Sequence, residues 1–148
     1  MRPLFLLSVL FVFLFTACSY SDQELKSFDR KIETFISGKK FHLVKSESGL
    51  YSEVMKPGTG KEILYTDSVG ITYVGQLLSG KKFDEQKSSI YLPVRGLIEG
   101  WKEALIGQKQ GVQLRLIVPP QLGYGASGKD KVPANAALYF ELTVEDVK

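Results

Sequence analysis

The residues with the strongest intrinsic chemistry are scarce in this chain. It has one cysteine, Cys18, and one histidine, His42. One of each cannot build a disulfide framework or a zinc site within one chain, so no metal is expected. A Ser-His-Asp triad would have to use His42, which lies in a polar stretch with no nucleophile signature beside it. The stretch 123–128, GYGASG, spells G-x-G-x-x-G. A dinucleotide site needs a strand running into such glycines and a helix opening from them. Here Pro119 and Pro120 interrupt the approach, and Lys129 to Pro133 carries no helical stripe. The glycines are expected to shape a loop, and no cofactor is expected.

Composition narrows the field further. The chain has 148 residues, 44% of them hydrophobic and 24% charged, with a formal net charge of +3. That is ordinary for one globular domain plus short extras and too apolar for a disordered chain. Nucleic-acid binding needs clustered Lys and Arg, and the pairs Lys39-Lys40 and Lys81-Lys82 read as solvated surface, so no nucleic acid is expected.

The N-terminus reads as an address. Arg2 supplies a positive start, and Leu4 to Phe15 is apolar except for Ser8. The run is shorter than the roughly 20 residues that span a bilayer core. Thr16 and Ala17 then precede Cys18, which resembles a bacterial lipobox, with Phe15 where Leu is usual. Residues 1–17 are expected to be a lipoprotein signal peptide, and Cys18 the lipidation site and first residue of the mature chain. Several acyl chains would hold it to the membrane, since one alone is marginal. The expected location is the bacterial cell envelope, lipid-anchored, at the outer membrane or the periplasmic face.

The elements that must position any site follow from periodicity. Leu25, Phe28, Ile32, Phe35 and Ile36 make one helical stripe, with Ser21 or Asp22 to cap it and Gly38 to end it. A spacer helix burying little is expected within residues 18–44, in preference to a dimer-forming one. Val69, Ile71 and Tyr73 alternate with smaller or polar neighbours, as do Val112 to Val118 and Leu138 to Val144, so three strands are expected there. Ser79-Gly80 suits a hairpin turn, and Pro119-Pro120 stops the second strand. Leu97 to Leu105 reads as a short helix closed by Gly107. Clean alternation fits an antiparallel sheet with one solvated face, and the short helix is the only cover for the other. The expected class is α+β, a bent antiparallel sheet wrapped around one short helix.

Four segments in order carry a family resemblance. The run 73–84, YVGQLLSGKKFD, the helix start 97–105, LIEGWKEAL, the loop with Pro119-Pro120 and LGYG at 122–125, and the closing 132–142 segment resemble those of FKBP-type peptidyl-prolyl cis-trans isomerases. The likeness runs from about Ser48 to the C-terminus, which makes 45–148 the isomerase domain. It implies that Trp101 floors a proline pocket. Tyr73, Phe83, Val132 and Phe140 would wall it, with Leu97 and Ile98 at the rim and Ile90 in place of a wall Phe. The Ile98 N–H and the Tyr124 hydroxyl would hydrogen-bond the substrate backbone, and Asp84 would be a polar edge, with Lys87 the nearest cation in sequence. Tyr73, Asp84, Tyr124 and Phe140 are the expected catalytic set.

The chemistry suits those residue types. Partial double-bond character gives the peptide bond a rotational barrier of about 18–20 kcal/mol. X-Pro isomerisation therefore takes roughly tens to hundreds of seconds. The twisted amide is less polar than the planar one, so an apolar aromatic cavity with a few placed donors favours it, without a nucleophile. The resemblance thus implies a monomeric isomerase acting on proline-containing polypeptides during folding of exported proteins, with macrolides as a further ligand class. The alternatives are a chaperone-like binding module and a surface protein that meets host proteins.

Overall fold

Alternation along the last strand defines the two faces of the sheet. Leu138, Phe140, Leu142 and Val144 point into one core, while Tyr139 belongs to a second buried cluster on the opposite side. In this computed structural model residues 20–148 are described. The expected signal peptide at 1–17 and the lipidation site Cys18 lie outside the described residues. The elements run α1 (Asp22–Ile36), β1 (Val44–Lys45), β2 (Tyr51–Lys56), β3 (Ser68–Leu77), β4 (Lys82–Pro93), α2 (Glu99–Leu105), β5 (Gln113–Val118) and β6 (Leu138–Val147). The six strands form one sheet in the order β1-β2-β5-β6-β3-β4, antiparallel throughout.

The inner face is covered by α2, as the sequence requires. Trp101, Ala104 and Leu105 on this helix join Val69, Ile71, Leu114, Leu116, Val118, Phe140, Leu142 and Val144 in one apolar core. Gly100 sets the approach: a Cβ there would lie 2.7 Å from Val118 Cγ1, so only glycine lets the helix sit this close to β5. The expected α+β architecture, an antiparallel sheet packed on one short helix, is the architecture found.

The outer face differs from expectation. It is not left to solvent along β5 and β6, because α1 lies over it. Ile32 is fully buried with Tyr51, Ile117 and Tyr139, and Phe35, Ile36 and Phe41 pack around them. Phe35 meets Tyr139 edge to face at 5.7 Å between centroids. The helix starts at Ser21, whose hydroxyl and backbone exchange hydrogen bonds with Glu24 in a capping box. The expectation of a spacer that buries little is therefore corrected. The stripe faces the chain's own sheet, where two large apolar side chains of β5 and β6 need a cover.

Three strands were not visible in the sequence. β1 is only two residues, both exposed. β2 buries only Tyr51, so it shows no alternation. β4 is an edge strand interrupted by an irregularity: Ile71 pairs with Ile90, but Tyr73 pairs with Gln86. Residues 87–89 thus form an exposed bulge, where a short loop was expected. Among the described residues no helix is long and apolar enough to cross a membrane.

The α1 contact has a measurable weight. Ile32→Ala removes a fully buried side chain and is expected to cost about 2–5 kcal/mol. The exposed Lys31→Ala should change stability by less than about 0.5 kcal/mol. Urea midpoints of the two variants test this, and equal midpoints would mean that α1 contributes nothing to the core.

Candidate active site

Beside the N-terminal end of α2 the inner core leaves a gap. It opens between β3, the two ends of β4, the N-terminal end of α2 and the segment joining β5 to β6. The cavity measures about 280 Å³. Tyr73 comes from β3, Phe83 and Asp84 from the start of β4, Trp101 from α2 and Phe140 from β6. Leu97 and Ile98 come from the turn before α2, and Tyr124 from the 119–136 loop. Eight of the ten pocket residues expected from sequence therefore meet in one place.

Four aromatic rings build the apolar wall. Phe140 stands edge to face with Trp101 at 5.0 Å and with Phe83 at 5.6 Å, and Tyr73 meets Trp101 at 5.0 Å. Edge-to-face pairs of this kind are the favoured aromatic geometry and fix ring orientation. Gly75 makes room for two of them. A Cβ at that position would lie 2.8 Å from atoms of both Phe83 and Phe140. A glycine inside a strand is the sequence signal that marks such an approach.

Two expected residues stand elsewhere. Val132 lines an adjoining recess of about 310 Å³, which shares Phe83, Asp84, Tyr124 and Lys129 with the main cavity. Ile90 lines neither. The β4 bulge returns it to the ladder opposite Ile71, where it packs against the buried core. Leu92, Gly96 and Lys129 line the main cavity instead. No local pattern singles these three out, because they converge only through the strand end and the loop.

Few polar groups reach the site, and most are committed. The Tyr73 hydroxyl donates to Asp84 Oδ2 at 2.5 Å, and the Glu85 N–H donates to Asp84 Oδ1 at 2.8 Å. Lys87, the nearest cation in sequence, lies 3.9 Å from Glu85, which also takes Lys82 at 2.9 Å. The residue bonded to Asp84 is thus a phenol, with no lysine in that role. Trp101 is 5% exposed, yet its Nε1 has no acceptor among the described residues. An unmet buried donor costs about 1–3 kcal/mol. The Leu97 N–H is taken by Val94 O at 3.1 Å, and Ile98 O accepts from Trp101 and Lys102. The Ile98 N–H stays outside this turn's hydrogen bonds, as expected for the residue that opens a helix.

Electrostatics keep both phenols protonated. Burial first, then the hydrogen bond to Asp84 and its charge, push the Tyr73 hydroxyl far above the ordinary tyrosine value of 10.0. Burial, followed by the charges of Asp84 and Asp130, raises Tyr124. A group whose pKa is raised on folding stabilises the fold below its unfolded value and loses that contribution as pH climbs past it. Stability should therefore be unaffected by these phenols up to about pH 9 and fall as pH rises through 10. The thermal midpoint and phenolate absorbance, followed together from pH 8 to pH 12, test this. Full ionisation of Tyr73 in the folded protein at pH 10 would contradict it.

Known proteins share this fold and sequence pattern. The sequence model of the FKBP-type peptidyl-prolyl cis-trans isomerase family matches residues 60–145. The FKBP-type peptidyl-prolyl cis-trans isomerase FkpA of Escherichia coli is 35% identical over 106 residues, covering 70% of this chain and 39% of the relative. The protein of the same name from Aeromonas hydrophila is 32% identical over 127 residues, covering 82% of this chain and 47% of the relative. The chain thus spans under half the length of these curated relatives. The crystal structure of FkpA from E. coli superimposes with a TM-score of 0.73 at 31% identity, covering 85% of this chain and 58% of that one. A peptidyl-prolyl cis-trans isomerase from Pseudomonas syringae pv. tomato gives 0.74 at 25% identity, covering 88% and 97%. Matched in sequence over residues 60–145 and in fold over most of its length, the chain belongs to the FKBP-type peptidyl-prolyl cis-trans isomerase family.

Proposed function

We propose that this chain catalyses cis-trans isomerisation of X-Pro amides by withdrawing the amide from water and twisting it in the aromatic cavity. The observation that carries the reading is the cavity itself: four edge-to-face rings around about 280 Å³, with few uncommitted polar groups beside them. A proline ring resting on Trp101 between Tyr73, Phe83 and Phe140 loses its hydration shell. A planar amide is more polar than a twisted one, so removing water disfavours the ground state more than the transition state. The Ile98 N–H and the Tyr124 hydroxyl are the donors that hold the substrate backbone. Asp84, fixed by Tyr73, supplies a polar edge near the amide. Leu97 limits access at the rim, and Val132 bounds the adjoining recess that receives flanking residues.

The setting we propose is the bacterial envelope. The lipobox-like approach to Cys18 supports a lipid anchor, and with it a role in folding exported polypeptides. Residues 45–148 make up the isomerase domain, to which α1 is docked from outside. A macrolide ligand would compete with proline for the same cavity. Metabolic labelling with a fatty acid should mark the wild type and spare Cys18→Ser, and equal labelling of both defeats the anchor.

Catalysis is tested on a Leu-Pro or Phe-Pro tetrapeptide by its cis-to-trans rate. Phe140→Ala opens the wall to water and should lose far more activity than Lys87→Ala. Its folding must be checked in parallel, since removing a buried Phe costs about 3–5 kcal/mol. Tyr124→Phe keeps the ring and deletes one neutral hydrogen bond, worth about 0.5–1.5 kcal/mol, so turnover should fall only modestly. A wild-type chain that binds the peptide without accelerating it sinks the isomerase reading in favour of a binding module.

A further inference from the structure

The loop that carries Tyr124 is held largely by hydrogen bonds within itself. Gly125 N–H donates to Pro120 O at 3.0 Å, and Asn135 N–H donates to Gly125 O at 2.9 Å, which ties the loop's two limbs together. Lys129 and Val132 bond each other at its tip. On the side away from the aromatic cavity part of the loop faces a cleft. This cleft of about 770 Å³ separates it from the first turn of α1, lined by Leu25, Pro120, Gly123 and Tyr124 among others. Tyr124 therefore stands between two open spaces, packed against the core at its ring and carried by the loop backbone.

One side chain from outside the loop reaches across this gap. The Tyr20 hydroxyl donates to Asn135 Oδ1 at 2.8 Å, a contact that joins residues 115 apart in sequence. The ring end of Tyr20 is anchored, standing edge to face on Phe28 at 5.1 Å, and Phe28 is itself buried. Its hydroxyl also comes close to the other limb: a Cβ on Gly125 would lie 3.8 Å from it. Asn135 has φ +56°, a left-handed backbone that Asn tolerates better than most residues. It receives Tyr20 through its side chain and holds Gly125 through its N–H, one residue from Tyr124.

We propose that Tyr20 is a positioning residue for the proline site, clamping Asn135 so that the Tyr124 hydroxyl is held where a substrate backbone meets it. The proposal rests on the isomerase reading for its kinetic consequences but not for its structural one. Tyr20 acts from the N-terminal arm and is not among the residues that line the aromatic cavity.

The test is a double-mutant cycle in the full chain. Tyr20→Phe keeps the ring on Phe28 and deletes only the hydroxyl. It should lower kcat/KM about two- to fivefold, the weight of one exposed neutral hydrogen bond, with an unchanged thermal midpoint. Asn135→Gly removes the acceptor while keeping the left-handed backbone accessible, and should give the same fall. The two together should be no worse than either alone. On a Tyr124→Phe background, Tyr20→Phe should have no further effect. Multiplicative losses there, or wild-type kinetics in Tyr20→Phe, overturn the clamp. Amide hydrogen exchange at Asn135 gives a readout independent of turnover, and Tyr20→Phe should accelerate it. If the wild type proves inactive, the isomerase reading fails, and exchange alone decides the clamp: acceleration upholds it and an unchanged rate overturns it.

Discussion

The close approach of Gly100 to Val118 sets the height of α2 above the sheet, and the site inherits its dimensions from that height. With a Cβ 2.7 Å from Val118 excluded, the helix lies low at its N-terminal end. Trp101, the next residue, is thereby brought within 5.0 Å of both Tyr73 and Phe140. A helix standing higher would separate those rings and flood the space between them. The rings meet edge to face, which holds their orientations. The cavity is what such a cluster leaves between a curved sheet and a short helix.

The two faces of the sheet solve opposite problems with the same strands. On the inner side β6 offers Phe140 to a cavity with sparse polar groups. On the outer side the neighbouring residues, Tyr139 and Glu141, join a dense polar cluster. Arg115 binds Glu53 at 2.7 Å and Glu141 at 3.0 Å, and donates to Tyr139 at 3.1 Å, over the Phe41 ring. Burial works against the charge of Arg115, but the bonds to Tyr139, Glu141 and Glu53 outweigh it. Burial, and then the bond to Glu141, push the Tyr139 phenol up to about 12. This network ties β2, β5 and β6 together beneath the end of α1, so the strand bearing Phe140 is fixed from behind by charge and from the front by aromatic packing.

What the sequence disclosed follows from how each residue is constrained. β3, β5 and β6 lie between two neighbours and turn every second residue to the inner core, so their alternation is written plainly. β4 has one neighbour and a bulge, and polar residues satisfy an exposed edge strand as well as a loop. The apolar stripe of α1 was readable, but periodicity names the face that is buried and not what buries it. At the site, the aromatic residues were legible through motifs contiguous in the chain. Leu92 and Lys129 were not, because they reach the cavity only after β4 and the 119–136 loop have closed around it. Ile90 was expected in the wall from the family resemblance, and the bulge returns it to the ladder opposite Ile71.

The outer helix changes what the N-terminal arm can be. A flexible tether would leave the domain free to tumble and the site indifferent to whatever precedes it. Here the arm covers Ile117 and Tyr139 on the back of the strands that carry the core, and its first described residue reaches the loop that carries Tyr124. Packing of α1 along the sheet thus couples the N-terminal arm to one rim of the aromatic cavity, where a flexible linker would leave the two independent.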